Sequence, residues 1–405
     1  MPQLGAIPLF EEGTHEPGGA AFRLVSPPKK DLVLPVEGGE VEVRSGQQDV
    51  VVRLTQVKDA AAALSVGHKL AQEGLDLMSI RGMLDTVIHD AEDDHAVWWT
   101  EPDGVVLRIV SAVTFKFEVP PITATVRDKD GNEIPQTAPK PRHHIAFRFY
   151  RLAQATDDLF DAYRNMYLAF ESLLSSQCPQ RDGEREIDWL RRALKAASPI
   201  AQLDSLKRLP GSDPIESFLD LVYKDTRLPL FHAKEGRSFF APQDSPSSRE
   251  AVSRSLNVLT HVVLGMAEGW YGARRTGGGV FFGWVYDNAR RILEGATAYA
   301  SNYDGPHDPT MSDLSHPRFQ SAVKLVSRLV PELQRGRAPA FLSTASGTEL
   351  SKVTPLRRIE IVSKEEPIFA HVLDSPLEPD GISRFEKLSH VKATNLNQPR
   401  SLFRT

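Results

Sequence analysis

Arg227 and His232, five positions apart, are the residues of this chain best suited to chemistry. Arginine offers a planar fork of donors to phosphate oxygens. Histidine exchanges a proton near neutral pH. Together they can clamp a phosphate and move a proton, the minimum needed to cut RNA without a metal. Pro229 suits the first turn of a helix, where a missing N–H costs nothing, and Asp225 and Thr226 suit the cap before it. The spacing therefore predicts a helix that starts at this pair. An Arg-x4-His pair also arises by chance, and then Arg227 pairs with a carboxylate while His232 fills a gap between helices.

Glu171 is the first carboxylate to consider. It follows Phe170 by one position and Tyr167 by four, beside the apolar face of a long helix. A buried carboxylate is costly unless paired, and Arg227 and His232 are natural partners. Two readings stand side by side: a structural ion pair in a helical core, or a site in which Arg227 steadies a phosphate, His232 transfers a proton and Glu171 orients one of them. The segment Gly183–Arg192 mixes charges on one amphipathic helix, with Trp189 and Leu190 inward. Arg191, Arg192 and Lys234 are the expected contacts to RNA phosphates.

Other constellations are weaker. His89 and Asp93 stand at helical i, i+4 spacing with His95 beyond. The zinc motif of two histidines around a glutamate is absent, and an acidic, solvated helix end is the expectation. No metal and no cofactor are expected. His143 and His144, with Arg142, Arg148 and Arg151, form a basic group that could touch RNA phosphates, although a solvated helix start is the favoured reading. Gly277-Gly278-Gly279 lacks the lysine of a phosphate-binding loop and reads as a joint. Cys178, before Pro179 at a helix end, has no evident base beside it.

These residues must be positioned by elements, and the patterns divide the chain. Residues 1–45 are rich in Gly and Pro and read as loops with short extended pieces. Residues 49–57 read as a strand, Asp59 to about Ala91 as helical, and 105–127 as strand again. A proline-rich stretch ends at Pro141. One long helical pattern then covers Phe147–Ser176, with Leu152, Leu159, Tyr163, Tyr167, Phe170 and Leu174 on one face. Further helices are predicted over Glu184–Ala196, Pro214–Tyr223 and Ser247–Ala273. Residues 280–286 read as a strand, 317–334 as a helix, and 356–363 with 368–373 as a hairpin. The last 22 residues read as a basic, weakly ordered tail. The expectation is an α+β multi-domain protein: a mixed α/β domain over 1–140, a central all-α bundle over 141–275, and a mixed C-terminal region over 276–405.

Composition narrows the functional classes. The 405 residues are 41% hydrophobic and 25% charged, ordinary values for a globular chain. A net charge of −5 gives no global footprint of a nucleic-acid binder, so RNA would need a local basic surface. One cysteine excludes an internal disulfide and suits a reducing compartment. The N-terminus carries no signal-peptide pattern, and no apolar run is long enough for a bilayer. A cytoplasmic location without membrane contact is expected.

The helical segment from about 145 to 275 resembles the HEPN superfamily. The likeness is carried by YRNMYLAFESLLSS, with its aromatic–Phe170–Glu171–Leu core, and by the Arg227-x4-His232 segment. It is similar to HEPN domains of abortive-infection (Apea-like) proteins and to a methylamine-utilisation accessory family. The resemblance implies a homodimer that brings two Arg-x4-His segments into one cleft, with RNA as substrate or ligand and a place in stress response or antiviral defence. It also allows a non-catalytic dimerisation or interaction module, or an accessory role in amine metabolism. Leu228, where active members carry a polar residue, and Pro229 depart from the pattern.

Overall fold

The computed structural model describes residues 1–11, 13–117, 125, 127–133, 140–199, 206, 209–233, 239–243, 246–273, 282–305, 322–330, 340–364 and 366–395. The chain divides into two compact units. Unit 1 comprises Met1–Lys116 and Val280–Ala393, and unit 2 comprises Phe117–Gly279 and Thr394–Thr405.

Unit 1 is built on one sheet. Its strands are β1 (Gln3–Leu4), β2 (Ile7–Pro8), β3 (Gly18–Arg23), β4 (Leu32–Val36), β5 (Gly39–Val43), β6 (Asp49–Leu54), β7 (Asp94–Glu101) and β8 (Gly104–Phe117). From the other end of the chain come β9 (Thr297–Ser301), β10 (Val323–Val330), β11 (Ala340–Ser346), β12 (Leu356–Ser363), β13 (Glu366–Glu378) and β14 (Arg384–Asn395). The order across the sheet is β2-β1-β13-β12-β9-β10-β11-β14-β8-β7-β3-β6-β5-β4. This corrects the expected fold class. Strands from the two ends of the chain interleave in a single sheet, so no central all-α bundle stands between separate flanking regions. Alternating patterns show which residues can be strands, but the partner of a strand is a non-local choice.

Helix α1 (Ala60–Ile80), capped by the Asp59 side chain on the Ala62 N–H at 2.8 Å, covers one face of the sheet. It lies close because Gly67 and Gly74, two turns apart, face the strands. A Cβ at Gly67 would fall 2.5 Å from the Ala20 Cβ. Phe22, Val50, Val52, Val97 and Trp99 pack beneath it. Alternate residues of the same strands, Ala21, Val51, Ala96, Trp98, Leu107 and Ile109, join Phe369 and Phe385 in a second core on the opposite face.

Two residues further along each strand, that second face turns polar. Asp49 lies opposite Arg23, and Asp94 opposite Ser111. Lys387 of β14 is 1% exposed and donates to the Ser111 hydroxyl. Burial pulls its amine down to about 7 against a weaker opposing pull from Asp94. Burial likewise raises the Asp49 carboxyl to about 6, although the Ser375 hydroxyl donates to it. Arg23 reaches Asp374 of β13 at 2.7 Å. The contacts of Asp49 and Arg23 with β13 join strands far apart in the order, so the sheet curls back on itself.

Several local expectations change for physical reasons. Residues 280–286 were expected as a strand, but 282–293 form a helix (Phe282–Leu293), continuous with Ala289 and Leu293, buried four apart; a short apolar run cannot distinguish the two. The expected helix over 317–334 is strand β10 through its described part, held by β9 and β11 on either side. The expected basic tail is β14 as far as Asn395. The Arg384 charge looked unpaired because one of its partners, Glu101 at 2.8 Å, lies in the N-terminal half. Helix α1 stops at Ile80, and His89 to Asp93 form the turn before β7. The hairpin of β12 and β13 is present, and β6 lies within the strand expected at 49–57.

Unit 2 carries α2 (Ala146–Ala155), α3 (Leu159–Gln177), α4 (Glu186–Ala197), α5 (Pro214–Phe218), a π-helical stretch Leu219–Arg227, α6 (Leu228–Phe231) and α7 (Pro246–Tyr271). The single helix expected over Phe147–Ser176 is two. It breaks before Asp158, whose side chain caps α3 by accepting from the Asp161 N–H at 2.8 Å. Leu152 therefore leaves the expected stripe and is 44% exposed. Leu159, Tyr163, Tyr167, Phe170 and Leu174 keep the 3.6-residue rhythm and enter one core with Trp189, Leu190, Phe218, Val222 and Leu259. Among the described residues, no helix is long and apolar enough to cross a membrane.

Candidate functional site in the helical unit

The Arg-x4-His segment sits at the end of a helix, not at its start. The cap is Asp213, whose carboxylate accepts from the Ile215 and Glu216 N–H groups, and Pro214 takes the first turn. From Leu219 the turns widen to the π form, and the Leu228 N–H reaches back to the Tyr223 carbonyl. Thr226, expected as a cap, instead donates its hydroxyl to the Leu221 carbonyl at 2.8 Å. Pro229 has no N–H to offer, and its ring crowds the carbonyl four residues back. The helix ends two residues later, with His232 as its C-cap.

π-turns are uncommon and are often found where function needs a side chain re-aimed. Here Tyr223 and Arg227 come to one side of the stretch, and the guanidinium carbon lies 5.4 Å from the Tyr223 ring centre. Tyr167 of α3 at 5.6 Å and Phe231 of α6 at 5.2 Å complete an aromatic box. Such contacts stabilise a cation by about 0.5–2 kcal/mol each, more where water is excluded. The Tyr163 hydroxyl donates to the Val222 carbonyl at 2.6 Å and anchors the π stretch to α3.

The carboxylate that binds Arg227 is Glu186, in the first turn of α4. Arg227 Nη2 and Glu186 Oε1 are 3.1 Å apart, with side chains 17% and 26% exposed. Glu186 also accepts from the Tyr167 hydroxyl at 3.3 Å and the Tyr223 hydroxyl at 3.0 Å. The start of α4 adds a favourable field for this negative charge. Burial raises both tyrosine hydroxyls above their ordinary value, and the Glu186 charge raises them further, so they remain donors.

His232 is exposed, and its Nε2 lies 3.4 Å from Arg227 Nη1. A guanidinium can only donate, so this contact requires Nε2 without a proton. The structure thus brings Arg227 and His232 together. Glu171 stands near Arg227 and, among the described residues, forms no hydrogen bond or ion pair with it or with His232. Burial raises its carboxyl, the charge of Glu186 raises it further, and Arg227 opposes both.

The expected RNA contacts lie in ion pairs of their own. Arg191 takes Glu216 in a two-pronged bond, with Nη2 to Oε2 at 3.0 Å, and Asp188 at 2.8 Å. Arg192 takes Glu184 at 2.8 and 2.6 Å and the Pro179 carbonyl at 3.0 Å. Lys234 lies outside the described residues. Among the described residues, no group of three or more His, Cys, Asp or Glu side chains is arranged to hold a metal ion.

Glu186 and Tyr223 were absent from the sequence-based site. The signal for Glu186 was present: it stands three and four residues before Trp189 and Leu190, on the buried stripe of α4. The argument that singled out Glu171 applies to it equally.

Residues 146–268 match the family model of Methylamine utilization protein MauJ. The MauJ match starts at the first residue of α2, ends inside α7, and includes Glu171, Glu186, Arg227 and His232. No curated protein and no solved structure matches the chain.

Proposed function

We propose that the MauJ-matching segment is a HEPN-like module that works without nuclease activity, in a protein with an accessory role in amine metabolism. One observation carries the non-catalytic reading: both terminal nitrogens of the Arg227 guanidinium already face partners. Its Nη2 is held by Glu186, its Nη1 faces His232, and its Nε is buried. A phosphate could reach the cation only by displacing a partly buried carboxylate that also holds two tyrosines, and breaking such a pair is costly. The name of the matched family supports the metabolic setting. A second copy of the chain is the partner that HEPN likeness favours.

A metal-independent endoribonuclease is the second reading, favoured by the exposed His232 beside Arg227. The two readings separate in one experiment. Total RNA is incubated in EDTA with the wild-type chain and with His232→Ala, both checked for folding. Intact RNA in both reactions is the expected result. Cleavage by wild type that disappears in the variant would establish the nuclease and overturn the accessory reading.

A further inference from the structure

Unit 2 holds a groove of about 350 Å³ lined by Phe149, Leu168, Glu171, Ser172, Ser175, Gln180 and Trp189. That volume suits a small ligand. Glu171 is the one charged side chain among these lining residues. It is half-buried and, among the described residues, accepts no hydrogen bond and forms no ion pair. The local charge does not balance: Glu171 and Glu186 are two carboxylates, and Arg227, committed to Glu186, is one cation. A partly desolvated carboxylate without a partner is a standing cost that a bound cation removes. The remaining lining fits such a guest. Phe149 and Trp189 offer aromatic walls, Leu168 an apolar one, and Ser172, Ser175 and Gln180 offer oxygens to N–H donors.

We propose that this groove binds a small organic cation of the alkylammonium class, with Glu171 as its counter-ion. The binding rests on the groove alone and does not require the accessory role proposed above. An anion of the same size is excluded by the sign of Glu171. Protonation of Glu171 removes the counter-charge, so affinity falls as pH drops through the raised range of its carboxyl. Glu186, Arg227, Tyr167 and Tyr223 are the charged and titratable groups around it, and only Glu171 lines the groove.

The test uses the full chain and propylammonium chloride, titrated by calorimetry at constant ionic strength, with sodium acetate as the anionic control. Saturable propylammonium binding and no acetate binding are expected. Glu171→Gln keeps the size of the side chain and should weaken binding by about tenfold or more, the scale of a hydrogen bond to a charged group. Ser175→Trp keeps the charge but fills the groove, and should weaken binding as much. Wild-type affinity should also fall at acid pH, a readout that needs no variant. Absence of saturable binding, equal affinity in Glu171→Gln, or equal affinity in Ser175→Trp would each overturn the proposal. The RNA experiment is independent of these results, so failure of one leaves the other standing.

Discussion

The Arg227–Glu186 pair can be tested by a double-mutant cycle of Arg227→Met, Glu186→Gln and both together. Opposite unit charges about 4 Å apart attract by roughly 4 kcal/mol at the effective dielectric of a protein surface, about 20. The contact is 3.1 Å and both side chains are mostly covered, so this is the relevant regime. Each single variant strands a partner. Glu186→Gln leaves a cation in an aromatic box, and Arg227→Met leaves a carboxylate with only two tyrosine hydroxyls. Losses of about 3 kcal/mol each follow for broken buried pairs. The double variant strands neither, so the sum of the single losses should exceed the double loss by about 2 kcal/mol. Urea denaturation read by hydrogen exchange in peptides from α3 and α4 confines the measurement to unit 2. A coupling below about 0.5 kcal/mol, the level of an exposed salt bridge, would refute the reasoning. Arg227 would then be free to meet a phosphate, and the non-catalytic reading would lose its support.

Two further outcomes follow from the same physical arguments. Folding holds the Lys387 amine at about 7 against an ordinary 10.5, so its favourable contribution is present above about pH 10.5 and lost as pH falls through 7. Between about pH 7 and 10 the unfolded chain binds the extra proton, and stability should rise with pH by up to ~4 kcal/mol, at about 1.4 kcal/mol per pH unit. Lys387→Met should lack this rise, and parallel pH–stability curves for wild type and variant would contradict the assignment. Tyr163→Phe removes the donor to the Val222 carbonyl and should cost about 1–3 kcal/mol. Hydrogen exchange should quicken in residues 219–227, and unchanged exchange there would show that the π stretch does not depend on this bond.

The faces of the helices were legible in the sequence. Tyr163, Tyr167, Phe170 and Leu174 repeat at helical spacing, and that spacing alone says one side of α3 is buried. The closeness of Arg227 and His232 was legible too, because five residues at the end of one helical segment cannot separate far. Helix boundaries were less so. Thr226 looks like a cap in a linear reading, but Asp213 is the residue whose oxygen meets free N–H groups. The π stretch has no plain signature in residues 219–227. Tyr163, some sixty positions earlier, helps hold it.

Periodicity states that a face is buried and is silent about what buries it. Glu171 and Glu186 both lie on or beside buried stripes, and either could have met Arg227 as far as spacing goes. Packing of α4 against the π stretch gave the guanidinium to Glu186 and left Glu171 facing a groove with no ion pair among the described residues. The same division holds in unit 1. Alternation marks β6, β8 and the β12–β13 hairpin, yet nothing local in β14 says that Lys387 lies buried beside Ser111. The sequence by itself determined which residues must leave water and at what period, because those are properties of neighbouring side chains. The tertiary structure alone decided which charges meet, because an ion pair depends on distance in space between residues that the chain holds far apart.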